Sequence, residues 1–487
     1  MGAKPVPRFL CANIRTITHH KKEDDITMKI PANIFREYDI RGNADKELTD
    51  ETVKAIGRAY ASWLIRAGVK SCVTIGGDAR LSTPRIKSAM TEGILSAGLD
   101  VVDVGLVTTP MLYWSMIHFN ADGGVMVTGS HNPPDMNGLK LCFERGTLYG
   151  SEVMNIHDIA EAGNFESGAG KLTHAKIDDE YLNMLVSKFT LPFTKRFKVV
   201  CDCGNGAAGL TARKFFERLG CECIPLYDEP DGRFPNHHPD PQKRENLQDV
   251  IARVRAEGAD VGIAYDGDAD RIGVVDDKGN VIFGDRLMTL YWKEILGTHK
   301  GAAVLVEPKC SMVLPELTEK FGGKPFFWKS GHSVIKAKMR EIGALFAGEY
   351  SGHMFFADEF YGHDDAFYAS GRLLRIMSER REALSRLMMS IPDYPSTEEI
   401  RIPCPDDVKF GITERITQKA REKYKVSDLD GVRIIYPDGW GLIRASNTQP
   451  VMVVRCEGKT QEALERIMND IKDRVLAEGL PDFTWTF

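Results

Sequence analysis

Residues 125–140 read V-M-V-T-G-S-H-N-P-P-D-M-N-G-L-K. The run Val125-Met126-Val127 is short and apolar, the pattern of a buried strand, and it opens into a loop where Gly129 lets backbone approach a ligand closely. Pro133-Pro134-Asp135 supply turn chemistry. One hydroxyl, Ser130, stands at the mouth of this loop, and His131 and Lys140 can offer it protons or positive charge. A serine that carries or receives a phosphoryl group needs such neighbours.

The design recurs along the chain. Val73-Thr74-Ile75 runs into Gly76-Gly77-Asp78, Val199-Val200-Cys201 into Asp202-Cys203-Gly204, and Val304-Leu305-Val306 into Glu307-Pro308-Lys309. Each reads as a buried parallel strand followed by a turn. Downstream of each, a second apolar run enters a polar loop: Val125 to Ser130, Val261 to Asp266, and Ala344 to Glu349. Helical patterns fall between, at Glu51 to Ala67, Thr211 to Leu219 and Val334 to Ile342. Strands alternating with helices predict three α/β units of related design, each presenting one functional loop. After the turn-rich Pro392-Asp393-Tyr394-Pro395 the pattern changes to a helix near Gly411 to Lys425, strand-like segments and a closing helix near Gln461 to Glu478, a smaller α+β domain. The expected divisions are a tail over 1–29, then 30–176, 177–279, 280–391 and 392–487.

A chain of 487 residues with 43% hydrophobic content can bury several cores. The net charge of −6 comes from interspersed signs, so no basic footprint for nucleic acid is expected. No apolar run reaches the ~18 residues of a membrane span. Ten scattered cysteines suit reduced thiols in a cytoplasmic setting, and the pairs Cys201/Cys203 and Cys221/Cys223 read as core rather than zinc ligands. Residues 1–29 lack the apolar stretch of a secretory signal and read as a disordered tail, with Met28 an alternative start.

Residues 266–271 read D-G-D-A-D-R. Asp266, Asp268 and Asp270 can converge on one cation, but an EF-hand requires Gly and Glu where this chain has Arg271 and Asp277. Hard oxygen ligands favour Mg²⁺, which would take a further oxygen from a phosphate on Ser130. Residues 204–209, G-N-G-A-A-G, match the dinucleotide fingerprint literally, so a nicotinamide-dependent enzyme is the distant alternative. In G-E-Y-S-G-H (348–353), Glu349 and Ser351 point the same way if extended, a clamp for vicinal sugar hydroxyls, and His353 could exchange protons. R-A-S-N-T-Q-P (444–450) offers a guanidinium, two hydroxyls, an amide and loop N–H groups, donors suited to phosphate. His237, His238 and Asp240 lie among prolines and read as a rigid loop.

Together, F-R-E-Y-D-I-R-G (35–42) and the four loops occur in the order seen in the α-D-phosphohexomutase superfamily, and the set most resembles its bacterial phosphomannomutase/phosphoglucomutase branch. The resemblance runs from about residue 30 to the end. It implies four domains in a heart-shaped monomer or small homo-oligomer, with a mobile C-terminal domain closing a central cleft. It implies Ser130 as the phosphoserine and Mg²⁺ on Asp266, Asp268 and Asp270, with Arg271 nearby. It places Arg41 and Tyr38 beside the phosphoserine, with Lys140, Lys309, His332 and His353 lining the cleft. Arg444, Ser446, Asn447 and Thr448 would grip the substrate's phosphate. The implied activity interconverts mannose or glucose 1- and 6-phosphates through a bisphosphorylated sugar, with glucose 1,6-bisphosphate as activator. Phosphoglucosamine mutase chemistry by the same route is the alternative; that branch tends to carry Gln or a similar residue between the Glu and Ser, and Tyr350 stands where the mannose/glucose branch often has Met, which bears on the sugar preference. His353 and Lys140 are the candidate general bases, and the lysine would need its pKa lowered by cations such as Arg41.

Overall fold

The computed structural model describes residues 30–70, 72–446 and 449–487. The expected tail over 1–29, and the phosphate-site candidates Asn447 and Thr448, lie outside the described residues.

The first sheet contains β1 (Ile40–Asn43), β2 (Val73–Gly77), β3 (Val101–Leu106), β4 (Gly123–Val127), β5 (Met136–Phe143), β6 (Gly146–Thr147) and β7 (Leu172–His174). Its order is β1-β5-β4-β2-β3-β7, with β6 on β5. β2 lies parallel to both β3 and β4, and β5 returns antiparallel to β4. The central strands β2 and β4 are fully buried, which is why they read as continuous apolar runs. Between β1 and β2, the helix Asp50–Arg66 starts where Thr49 accepts from the Thr52 backbone N–H and two acids occupy the first turn.

The second sheet repeats the plan with β8 (Lys198–Asp202), β9 (Glu222–Leu226), β10 (Val261–Tyr265), β11 (Ile272–Asp276) and β12 (Val281–Ile282). β8 is parallel to β9 and β10, and β11 returns antiparallel to β10. The third has β13 (Ala303–Val306), β14 (Lys324–Phe327), β15 (Phe346–Gly348) and β16 (Met354–Phe356), with β13 parallel to β14 and β15, and β16 antiparallel to β15. The fourth is wholly antiparallel, in the order β17 (Ile400–Pro403), β21 (Val451–Gly458), β20 (Gly439–Ala445), β19 (Val432–Tyr436), β18 (Lys425–Ser427), and is accompanied by helices Lys409–Arg421 and Gln461–Ala477.

The fold is thus three related α/β domains with mixed sheets and a C-terminal α+β domain. Each functional loop occupies an equivalent place: 128–135 joins β4 to β5, 266–271 joins β10 to β11, 349–353 joins β15 to β16, and 446–450 joins β20 to β21. A short connection can only join antiparallel neighbours, so each loop is a reversal held at the end of a buried strand.

One apolar core runs continuously from Met111 and Tyr181 through Phe215 and Tyr265 to Trp292, Phe346 and Phe367, welding the first three units together. The fourth unit has its own core around Ile416, Ile434, Ile443 and Ile467. It is fastened to the third by Arg433, which donates to the carbonyls of Pro308 and Cys310, and by Arg455, which reaches Asp285 at 3.1 Å. Among the described residues no helix is long and apolar enough to cross a membrane.

Candidate active site

The four loops face a common cleft, to which they bring His131, Arg271, Glu349, Ser351, His353, Ser446 and Gln449. Ser130 sits beneath it, nearly buried, with the non-glycine left-handed φ of +47°. That backbone conformation costs on the order of 1–3 kcal/mol and persists only where the surroundings enforce it. The Ser130 N–H donates to Thr128 Oγ1 at 2.8 Å, and its own hydroxyl donates to Asp266 Oδ2 at 2.8 Å, with His131 Nδ1 3.1 Å away. Burial, then the charges of Arg271 and Arg41, hold His131 well below the usual histidine range, so it is neutral near pH 7.

Asp266, Asp268 and Asp270 are fully buried, and each can offer an oxygen within 4.8 Å of the others. Asp268 Oδ1 and Asp270 Oδ1 have no hydrogen-bond partner. Buried carboxylate oxygens left unpaired at one point are the donor set a hard divalent cation requires, so these residues fit a metal. Burial, then repulsion from Asp270 and Asp268, push Asp266 well above the carboxylate range. Burial acts on Asp268 in the same direction, but the charge of Lys140 and hydrogen bonds from Thr109 and Lys140 outweigh it and hold Asp268 low. Thr109 Oγ1 donates to Asp268 Oδ2 at 2.5 Å and its N–H to the Asp268 carbonyl at 2.9 Å, so the first domain helps shape the metal loop of the second.

Lys140 Nζ lies 3.0 Å from Asp268 Oδ2 and also bonds Asp270. Burial works against its charge, yet the two aspartates raise its pKa. A lysine base would need the opposite shift. Arg41, expected to lower it, is turned to Asp39 at 2.7 Å. In this setting Lys140 is a fixed cation, and His353 is the better placed of the two base candidates.

The third domain contributes as the alternation in G-E-Y-S-G-H predicts. Glu349 and Ser351 line the cleft, with Glu349 Oε1 accepting from the Gly331 N–H at 2.6 Å and Oε2 from Ser351 Oγ at 3.3 Å. Tyr350 turns the other way: its ring stacks on Phe283 at 5.4 Å, and the Arg455 guanidinium covers it at 3.8 Å. His332 opens the helix His332–Ile342 and stacks on His353 at 5.8 Å. Tyr38 donates to the Ser330 carbonyl at 2.6 Å, and Lys309 sits between Glu307 and Glu399 at 3.7 and 3.4 Å. From the fourth domain, Arg444 reaches the cleft and pairs with Asp430 at 3.3 Å, and Ser446 Oγ accepts from the Gln449 N–H at 3.2 Å.

Several cleft residues escaped the sequence reading. Asp39 and Gln449 lie inside motifs whose other residues carry stronger chemical signals. Glu399 and Arg401 flank the start of β17, where their i, i+2 spacing puts both toward the cleft, but that short strand followed a proline-rich turn and gave no signal. Gln242 comes in through the rigid loop after His238. His237 itself pairs with Asp202 at 2.9 Å and belongs to no candidate metal group among the described residues.

The fingerprint at 204–209 is not a dinucleotide site. Strand β8 leads into a 3₁₀ turn at Ala207–Leu210 rather than directly into an α-helix. A Cβ on Gly206 would meet the Gly267 carbonyl at 2.8 Å and one on Gly209 the Asp228 carbonyl at 2.1 Å. The glycines admit protein backbone, and the N–H groups of Asn205 and Ala207 are spent on the carbonyls of Tyr227 and Gly267. The loop seats the Asp266–Arg271 loop.

Four family models match in succession: phosphoglucomutase/phosphomannomutase alpha/beta/alpha domain I over residues 32–167, domain II over 179–279, domain III over 283–394, and the C-terminal domain over 399–474. The chain is 44% identical over 449 residues to a phosphomannomutase/phosphoglucomutase of Pseudomonas aeruginosa, covering 92% of this chain and 96% of that one. It is 40% identical over 461 residues to a phosphoglucomutase of Neisseria meningitidis, covering 94% and 99%. A solved phosphoglucomutase/phosphomannomutase family protein from Burkholderia thailandensis superposes with a TM-score of 0.87 at 39% identity, covering 94% of this chain and all of that one.

Proposed function

The chain belongs to the phosphoglucomutase/phosphomannomutase family of enzymes, and from that premise we propose that it interconverts hexose 1-phosphates and 6-phosphates, of mannose, glucose or both, through a phosphoserine at Ser130. The observation that carries this reading is the Ser130 hydroxyl 2.8 Å from Asp266, inside a group of three buried aspartates and beneath a cleft lined by Arg41, Arg271 and Arg444.

A phosphoryl group on Ser130 Oγ passes to the free hydroxyl of a sugar monophosphate. The serine O–P bond breaks as the sugar O–P bond forms; the sugar hydroxyl proton goes to His353, and the Ser130 oxygen leaves with the bonding pair as the alkoxide that attacks in the return step. The bisphosphorylated sugar turns end for end, and its original phosphoryl group returns to Ser130 while the proton is given back. Lys140, Arg41 and Arg271 stabilise the charge spread over the phosphoryl oxygens, the main protein contribution in such transfers. Mg²⁺, held by Asp266, Asp268 and Asp270, would neutralise part of the same charge. Glu349 and Ser351 clamp sugar hydroxyls, and Arg444 with Ser446 holds the phosphate that is not reacting. A trace of glucose 1,6-bisphosphate would rephosphorylate enzyme that had lost its phosphoryl group.

The test is Mg²⁺-dependent conversion of mannose, glucose and glucosamine 1-phosphates to 6-phosphates, each primed with glucose 1,6-bisphosphate. Turnover of mannose or glucose substrates is expected. Turnover of glucosamine 1-phosphate alone would move the chain to the phosphoglucosamine reading, and turnover of none would reject both.

A further inference from the structure

The Ser130 loop is held from below by a pair of residues that face away from the substrate. Asp78, just beyond β2, accepts from Thr128 Oγ1 at 2.8 Å, from the Gly129 N–H at 3.1 Å and from Thr83 Oγ1 at 2.7 Å. Its neighbour Arg80 is 1% exposed, and its Nε lies 3.2 Å from Asp78 Oδ2. The two terminal nitrogens of Arg80 then reach four carbonyls of the same loop: Ser130 at 2.8 Å, Asn132 at 2.5 Å, Pro133 at 2.5 Å and Met136 at 2.8 Å. Only a planar fork can serve that many acceptors at once. The fit is close enough that a Cβ at position 129 would lie 2.5 Å from Arg80 Cζ, which explains the glycine before Ser130. From the second domain, the Phe234 ring covers the guanidinium at 5.2 Å.

We infer that Arg80, braced by Asp78, is a positioning residue that keeps Ser130 in its left-handed conformation whether or not the hydroxyl carries a phosphoryl group. All of the Arg80 bonds to the loop go to backbone carbonyls. None goes to the serine oxygen, so the charge that comes and goes on Oγ does not compete for the fork. A loop held only by contacts to the phosphoryl group would relax at every half-cycle, and Oγ would have to be found again before the return transfer. Thr128 works in series: its hydroxyl donates to Asp78 and accepts from the Ser130 N–H.

This inference rests on the phosphoserine reading, and the test separates the two. Arg80→Lys keeps the charge opposite Asp78 but cannot span the carbonyls. It is expected to lower kcat at least tenfold while KM stays within about threefold, since the substrate-gripping residues are untouched. Thr128→Val should do the same and Thr128→Ser should restore kcat, a pair that decides the matter if Arg80→Lys does not fold. Circular dichroism and melting temperature are followed in each. Retention of kcat within twofold by folded Arg80→Lys, or by Thr128→Val, would overturn the inference. Wild-type protein that turns over without ever carrying phosphate on Ser130, judged by peptide mass, would instead overturn the phosphoserine reading.

Discussion

His353 Nδ1 lies 2.9 Å from Asp364 Oδ2, while its Nε2 accepts a hydrogen bond from Arg271 Nε at 3.0 Å. A guanidinium can only donate, so Nε2 carries the lone pair and the ring proton is on Nδ1, the nitrogen near Asp364, although the Nδ1 and Oδ2 atoms stand outside hydrogen-bond alignment. Burial works to raise Asp364, but the charge of Lys336, 3.2 Å away, and the contact with His353 hold it well below the carboxylate range. A substrate hydroxyl that takes the place of Arg271 meets a basic nitrogen already in the right tautomer. Asp364→Asn, free to present an N–H to Nδ1, is therefore expected to lower kcat on the order of 10²-fold with little change in KM. Steady-state kinetics showing unchanged kcat would remove Asp364 from the proton-transfer apparatus.

Ser130→Ala removes the hydroxyl that donates to Asp266 and leaves the backbone restraints of its loop in place. The variant should melt close to wild type and lose turnover by a factor of about 10⁴ or more, as expected when the group that receives and returns the phosphoryl is absent. Normal turnover by folded protein would end the phosphoserine proposal.

What could be read from the sequence divides along physical lines. Runs such as Val73-Thr74-Ile75 and Val261-Gly262-Ile263 announced buried parallel strands because nothing polar interrupts them, and the loops after them carried hydroxyls and carboxylates in tight clusters. Local spacing even gave the facing of Glu349 and Ser351. Residues that act through distant partners stayed silent. Asp364 and Arg80 look like ordinary charged residues until the fold brings them to His353 and to the Ser130 carbonyls. Lys140 misled for the same reason: its charge state is set by Asp268 and Asp270, roughly 130 residues away, and not by the nearby motif.

The unpaired oxygens of Asp268 and Asp270, beside an Asp266 raised by burial and by those two carboxylates, are a donor set whose mutual repulsion a cation would relieve. Added Mg²⁺ should raise the melting temperature of chelator-treated protein, reaching about 2.7 kcal/mol of added stability at a hundredfold excess over Kd. Asp268→Asn should shrink that rise, and chelation should abolish turnover reversibly. A melting curve indifferent to millimolar Mg²⁺ would argue against a resident metal on these aspartates.

Tyr350 stands between the cleft-lining Glu349 and Ser351, but its ring lies against Phe283 and Arg455, at the seam between the third and fourth domains. It therefore cannot select between axial and equatorial sugar hydroxyls by contact. Tyr350→Met should leave the ratio of kcat/KM for glucose and mannose phosphates within twofold of wild type while lowering stability by about 1–2 kcal/mol through lost stacking. A large swing in that ratio would show that the domain seam, and not only the cleft wall, sets sugar preference.

Asp365 is fully buried at the start of the helix Ala366–Arg380, where it accepts from the Tyr368 N–H at 2.9 Å and from the Tyr181 hydroxyl at 2.7 Å. Burial dominates and pushes its carboxyl up to about 7, the two hydrogen bonds opposing and the charge of Asp364 assisting. In the unfolded chain the group titrates near 4, so between about pH 4 and 7 the native state holds a proton that the unfolded state has released. Its contribution to stability is complete below about pH 4 and is lost as pH rises through 7, by up to about 4 kcal/mol on the scale of 1.36 kcal/mol per pKa unit. Asp365→Asn keeps a side-chain oxygen for the helix cap and cannot titrate. Wild type should therefore lose melting temperature relative to Asp365→Asn as pH rises from about 4 to 7, and the difference should level off above 7. A constant difference across that range would mean that Asp365 keeps one protonation state throughout and that its burial is compensated by the Tyr181 and Tyr368 hydrogen bonds alone.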